Sequence, residues 1–262
     1  MAKKKRNSIP FRIAKFFVRA LYPKIEIVEQ ELLSGEPMVF VGNHSQVHGP
    51  LACELYFPDN CYAWCEGQMV HLKEVPAYAY VDFWSYKPKS MQWFYKILSY
   101  IIAPIAVFIF KNARTIPVYH DTRIVSTIRE SMNLLDSGNH VIIFPEHDVE
   151  YNNILYDFQE RFIELARFYH KKRGKILSFV PMYIAPKLKK TYFGQPIKFD
   201  PTNDIALERD RIREYLMTEI TNIARALPEH TVVPYRNVSK KLYPKNIPAD
   251  PQEDTENAKA GS

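Results

Sequence analysis

Two histidines, His44 and His48, follow the apolar run Val39-Phe40-Val41 and the pair Gly42-Asn43. A neutral imidazole can take a proton from a hydroxyl, so a histidine set at the end of a strand is a candidate general base. A second stretch has the same grammar. His140-Val141-Ile142-Ile143-Phe144 empties into Pro145-Glu146-His147-Asp148. Glu146 and Asp148 are carboxylates of the kind that orient an imidazole and stabilise its cation.

For these groups to meet, both apolar runs must be strands of one sheet that end on the same side. In open α/β sheets, the crevice beyond such ends is where ligands bind. Pro50 suits the first turn of a helix running to about Phe57. Residues 115–119 read as a strand, and Asp121 can cap the helix after it. Ile124, Val125, Ile128, Met132 and Leu135 then fall on one helical face, and Gly138 is a fitting stop. Residues 156–172 have helical amphipathic spacing, ended by Gly174. Residues 176–184 read as a strand strained by Pro181 or near an edge. A long helix is expected from Asp204 to about Leu227, and residues 66–83 read as irregular. Helices alternating with strands predict an α/β class with a mixed, largely parallel sheet flanked by helices.

The 262 residues suit one large domain, and 47% are apolar. The net charge of +6 is unevenly placed. Residues 1–24 carry eight basic residues and no acid, leaving 27 basic against 29 acidic elsewhere. A nucleic-acid partner is therefore not expected, because its footprint is a basic face on the folded domain. Cys53, Cys61 and Cys65 lack the spacing of a zinc or redox motif and read as reduced core residues.

Residues 1–24 read as a basic amphipathic helix, with Arg12, Lys15 and Arg19 on one face and Phe and Val around the rest. Such a segment suits an anionic membrane surface. The run 97–110 is apolar throughout. At 14 residues it is about 21 Å long as a helix, short of the ~30 Å hydrocarbon core. A span that includes residues 93–96, a hairpin dipping into one leaflet and a buried core helix all stay open. The expected organisation is a membrane-surface helix over 1–24, an α/β domain over 25–230 with 93–110 touching lipid, and a mostly disordered tail over 231–262.

Five blocks carry a family resemblance. Asn43-His44 looks like the start of a His-x4-Asp block. Thr115-Ile116-Pro117-Val118-Tyr119-His120 looks like Gly-x-Ile-Pro-Val-x-Arg, and Phe144-Pro145-Glu146 like Phe-Pro-Glu-Gly-Thr-Arg. Val180-Pro181-Met182 looks like a Val-Pro-Val/Ile block, and Gly194-Gln195-Pro196-Ile197 like the Gly-x-Pro-Ile strand that often follows. Together, over residues 36–228, they resemble the glycerolipid acyltransferase family of the 1-acyl-glycerol-3-phosphate acyltransferase type. The sequence departs from it at Gly49, where the aspartate would stand. Arg114 replaces a glycine, His120 an arginine, and His147-Asp148-Val149 the Gly-Thr-Arg.

The resemblance implies an acyltransferase-like fold and His44 as the base that activates an acceptor hydroxyl. With Gly49 in place of the aspartate, Glu146 or Asp148 is the expected partner of His44. Asn43, His48, Arg114, His120 and His147 stand in or beside the blocks and are the expected substrate contacts, with Arg114 and His120 facing the polar head. The expected donor is acyl-CoA or acyl carrier protein, and the acceptor is a lysophospholipid or related glycerolipid. No other cofactor is implied, and the expected location is the cytoplasmic face of a membrane, peripheral or monotopic. Two alternatives remain: a non-catalytic lipid-binding relative, and a metal-dependent hydrolase using the His/Glu/Asp cluster.

Overall fold

Runs of β-branched and aromatic residues form strands here because both their faces are buried. The strands are β1 (Glu26–Ile27), β2 (Val39–Gly42), β3 (Cys61–Glu66), β4 (Thr115–Val118), β5 (His140–Ile143), β6 (Glu146–Tyr151), β7 (Tyr156–Phe158), β8 (Ser178–Ala185), β9 (Lys190–Phe193) and β10 (Ile197–Lys198). The helices are α1 (Ile9–Leu21), α2 (His48–Tyr56), α3 (Val75–Ala79), α4 (Gln92–Asn112), α5 (Ile124–Asp136), α6 (Glu164–Arg173) and α7 (Ile205–Ala226). This computed structural model describes residues 8–84 and 87–247, apart from the side chains of Asp148 and Glu150.

Eight strands make one mixed sheet in the order β1-β9-β8-β2-β5-β3-β4, with β10 beside β8. The pairings β8–β2, β2–β5, β5–β3 and β3–β4 are all parallel. Antiparallel pairing is confined to β8 with β9 and β10. The α/β class and its largely parallel sheet are thus as the alternation predicted. The parallel strands end on one side, so the residues after β2, β3, β4 and β5 share one rim.

Alternation along each strand separates two cores. Val39, Val41, Val141 and Ile143 face a layer that includes Leu135 of α5, Leu165 of α6 and Leu216 of α7. Phe40 and Ile142 face Cys53 of α2 with Phe57 and Leu33. Phe40 is wholly buried, so its truncation to Ala should cost about 3–5 kcal/mol. Asp204 caps α7 by accepting the Ala206 N–H at 2.8 Å. Gly174 ends α6 with φ of 67°, a left-handed conformation that glycine adopts without steric cost.

Several expectations change. Residues 156–163 do not extend α6. Tyr156–Phe158 pairs with β6 as a two-stranded hairpin, followed by a 3₁₀ turn over Glu160–Ile163. Pro181 lies not near an edge but inside β8, opposite Val41. Its missing N–H falls where β9 has ended at Phe193 and the chain bends away, and its carbonyl accepts the Gly194 N–H at 2.8 Å. Of residues 66–83, read as irregular, Glu66 ends β3 and the rest is largely short helical turns including α3. Residues 231–247 are not loose. Val232 and Val233 are buried, and Asn246 holds carbonyls of Ala224 and Leu227 at the end of α7. The rest of the expected disordered tail lies outside the described residues.

The helix predicted at 97–110 is longer. Residues 89–112 are long and apolar enough to cross a membrane. One side of α4 is taken by the domain: Ser99 and Ala103 are buried, and Ile102, Ala106 and Phe110 pack with Val75 and Ala79 of α3. Ile97, Ile101, Ile105, Phe108 and Ile109 face outward. Helix α1 sits beside its end through Phe11 on Phe108 (ring centroids 6.3 Å apart). Of the cations expected on one face, Arg12 and Arg19 are exposed and Lys15 turns toward α2. Lys15 Nζ donates to Glu54 Oε1 at 2.6 Å, and Arg19 lies over the Tyr56 ring. Ile9, Ile13, Phe16, Phe17 and Leu21 are exposed.

Candidate active site

His44 follows the central strand β2 and is held by the turn leading into α2. Ser45 and Gln46 have φ of 48° and 54°. Two successive non-glycine residues in the left-handed region store strain of about 1–3 kcal/mol each, so the surroundings must fix the turn. Asn43 does so from one side. Its Oδ1 accepts the Ile184 N–H at 2.7 Å, and its Nδ2 donates to the Ile184 carbonyl at 3.0 Å and to Ser45 Oγ at 2.7 Å. The C-terminal segment does so from the other. Gln46 Nε2 donates to the Arg236 carbonyl and to Tyr243 Oη. Asn43, expected to contact substrate, has its amide engaged in shaping this turn.

The imidazole of His44 packs edge-on against Phe144 and Tyr235, with ring centroids 5.4 and 5.5 Å away. Burial pushes its pKa down to about 4, with the Gln46 backbone opposing the shift. Its Nδ1 is buried and makes no hydrogen bond of acceptable geometry among the described residues. With that shift the ring is uncharged at neutral pH and can accept a proton.

Glu146 does reach His44, but at the main chain. Oε1 accepts the His44 N–H at 2.5 Å, and Oε2 accepts the Tyr156 N–H at 2.8 Å. Both oxygens are thereby spent on backbone, so Glu146 fixes the position of the base and is not itself the partner of the ring. Burial raises its pKa to about 7 despite the two N–H donors, which act the other way. The side chain of Asp148 lies outside the described residues.

The backbone around Gly49 leaves no room for an aspartate at that position. Helix α2 begins at His48, so Gly49 is the second helical residue and does not cap a helix starting at Pro50. A Cβ there would lie 2.6 Å from the His44 carbonyl oxygen and 3.0 Å from the Phe144 ring. This turn is too tight for any side chain at 49.

The other expected contacts do not converge on His44. Arg114 is buried and closes the end of α2. Its guanidinium donates to the carbonyls of Cys53 and Glu54 in the last turn of α2 and of Phe57 and Pro58 just beyond it. Its own N–H donates to Glu54 Oε2 at 2.9 Å. Arg114 therefore cannot face a lipid head. His48 Nδ1 pairs with Tyr22 Oη at 2.6 Å, and burial pushes the His48 pKa down. His147 Nε2 lies 3.5 Å from Asp157 Oδ2, on the β6–β7 hairpin. His120 is exposed, with Nε2 3.4 Å from Glu66 Oε2. Among the described residues, no three His, Cys, Asp or Glu side chains gather in a way that could hold a metal ion.

A cavity of about 830 Å³ opens beside His44 and Glu146 along the rim of β3, β4 and β5. His120 lines it, with Glu66 and Tyr119. Trp64, Phe162 and Phe168 form an apolar wall with the Ile124, Val125, Ile128 and Met132 face of α5. Tyr235 lines it too, from a segment with no periodicity or motif that would have announced a site residue. A concave apolar pocket with a few converging polar groups suits a ligand with a long apolar part.

No protein-family model matches this sequence, and no curated protein matches it. Among solved structures, the chain is similar to the 1-acyl-sn-glycerophosphate acyltransferase PlsC from Thermotoga maritima. That likeness has 12% identity over 82% of this chain and 78% of the other, with a TM-score of 0.46. No residue role is carried over from it.

Proposed function

We propose that this chain transfers a fatty acyl group from a thioester donor to a hydroxyl of a lysophospholipid or related glycerolipid, with His44 as general base. The observation that carries the reading is the neutral imidazole of His44 in the lining of an apolar-walled cavity. Blocks that resemble acyltransferase motifs only as sequence also lie together: β2 leads to His44, β5 beside it leads to Glu146, and Pro181 pairs with Val41 on its other side.

In this reading the acceptor O–H gives its proton to His44 as its oxygen attacks the thioester carbonyl. The C–S bond then breaks, and the leaving thiolate takes the proton back from the imidazolium. Glu146 keeps the His44 backbone in register. The apolar wall of α5 takes an acyl chain. Acyl-CoA or acyl carrier protein is the donor. The outward apolar sides of α1 and α4 rest in the cytoplasmic face of a bilayer, with the domain outside it. One side of α4 is packed on the domain, which favours lying in one leaflet over crossing.

The test is transfer of labelled acyl groups in mixed micelles by wild type and His44→Ala, across a panel of lysolipids. Loss of general-base catalysis should lower turnover by about 10²–10⁴-fold. Equal turnover in the two proteins defeats the mechanism. No product from wild type with any acceptor favours the second reading, a lipid-binding protein without turnover. The feature that supports that reading is the Glu146 carboxylate, which is spent on two backbone N–H groups and not on the His44 ring.

A further inference from the structure

Eight charged side chains line the cavity, and five of them are already paired. Glu66 meets His120 and accepts the Gln68 N–H, Asp121 binds Arg123, and Glu146 holds two backbone N–H groups. Glu164 binds Arg167 and Arg209. The remaining three are all cations: Arg129 on α5, Arg161 on the 3₁₀ turn at 160–163, and Lys172 on α6. Among the described residues none of these three side chains makes a hydrogen bond or an ion pair. An unpaired cation on one helix face is ordinary. Here three separate elements bring their cations to one concave lining, and each carboxylate that shares it is already occupied. The charge left over is positive, at the rim of a cavity whose wall is apolar.

We propose that Arg129, Arg161 and Lys172 form an anion-binding rim that takes the phosphate groups of a phosphorylated amphiphile whose apolar arm runs inward toward His44. Guanidinium groups suit phosphate because their paired N–H donors match its oxygens, and lysine adds a mobile point charge. Two ligands share this chemistry: the nucleotide end of a coenzyme A thioester, and the head of a monophosphorylated lysolipid. The assignment rests on the acyl-transfer reading only for which end of the ligand reacts, since binding needs no turnover.

The experiment is direct binding, by calorimetry, to full-length protein carrying His44→Ala so that no chemistry intervenes. The probes are coenzyme A, lysophosphatidate and the net-neutral lysophosphatidylcholine, at low and high salt. The R129Q/R161Q/K172Q variant is compared with K171Q/K175Q/R225Q, which removes the same charge from exposed positions outside the cavity. The rim variant should weaken one phosphorylated probe by about 10-fold or more and blunt its salt dependence, while the control variant leaves it unchanged. Which probe responds names the source of the phosphate. Equal weakening by both variants reduces the effect to general charge and overturns the site. So does unchanged binding in the rim variant, or no binding of either phosphorylated probe. Lost turnover in the His44→Ala protein with intact, rim-dependent binding separates this proposal from the fate of the catalytic one.

Discussion

Glu146 and His44 are joined through the main chain: the carboxylate accepts the His44 N–H at 2.5 Å and, with its other oxygen, the Tyr156 N–H at 2.8 Å. One side chain thus ties the end of β2 to the hairpin that follows β5. The acid of the Phe-Pro-Glu block serves here as a positioning residue for the base.

Replacing Glu146 by Gln should therefore destabilise the fold. The amide oxygen can accept one N–H, but its NH₂ group would face the other as donor to donor. An unsatisfied buried group costs about 1–3 kcal/mol. The pH dependence should change as well. Glu146 is raised from 4.5 to about 7, so the folded chain holds its proton more tightly than the unfolded one. Its contribution is full below about pH 4.5 and is lost as pH rises through about 7. Urea unfolding of wild type and Glu146→Gln at pH 5 and 8 should show a stability gap that narrows at the higher pH. A gap that widens refutes the assignment.

The acid limb of activity should be displaced. His44 is lowered from 6.5 to about 4, so its free base is already dominant at pH 5. In the transfer assay, kcat/KM should stay flat from neutrality down to about pH 5 and fall as pH approaches 4. A limb near 6.5 would show that the ring titrates as an exposed histidine. The same shift has a cost in stability. Between about 6.5 and 4 the unfolded chain takes up the proton more readily, so this group destabilises the fold as pH drops through that window.

Arg114→Ala should cost about 3–5 kcal/mol, as expected for breaking a buried, charge-paired network. It leaves carbonyls at the end of α2 and the Glu54 carboxylate with fewer donors. Arg114→Lys should rescue little, because one ammonium cannot reach what a planar fork reaches. Denaturant midpoints measure this. A variant with wild-type stability and altered acceptor preference would return Arg114 to the lipid head.

An aspartate at position 49 should harm the protein. Gly49→Asp places a Cβ against the His44 carbonyl and the Phe144 ring. Shifting backbone or core to relieve such a clash costs about 1–3 kcal/mol. Thermal unfolding should show a lower midpoint, and transfer activity should not rise. A stable variant with faster turnover would mean that the turn can open to admit an aspartate beside His44.

The sequence discloses those parts of the fold whose neighbours are local. Strands β2 and β5 follow from apolar runs too short for a helix, and α7 from its period and the Asp204 cap. The β6–β7 hairpin stays hidden because Glu-His-Asp-Val-Glu-Tyr is polar and Tyr156 to Tyr169 has helical spacing. What decides it is a carboxylate meeting an N–H ten residues on. Arg114 misleads for a similar reason. A cation beside a motif looks like a ligand contact until the end of α2 is seen to lie over it. His44 is legible from its place after a strand. The exclusion of a side chain at position 49 depends on how closely Gly49 approaches the His44 carbonyl, a distance that no residue pattern encodes. Tyr235 gives no sign at all, since its role comes from a chain segment folding back over the site.

The inward turn of Lys15 leaves α1 with Ile9, Ile13, Phe16, Phe17 and Leu21 to the outside. If that flank rests in lipid, as proposed, the protein meets its substrates in two dimensions. Its rate would then follow the mole fraction of lysolipid in the surface and not the bulk concentration. Diluting that surface with inert lipid at constant total substrate would slow it, and a protein once landed would turn over many molecules before hopping to another vesicle.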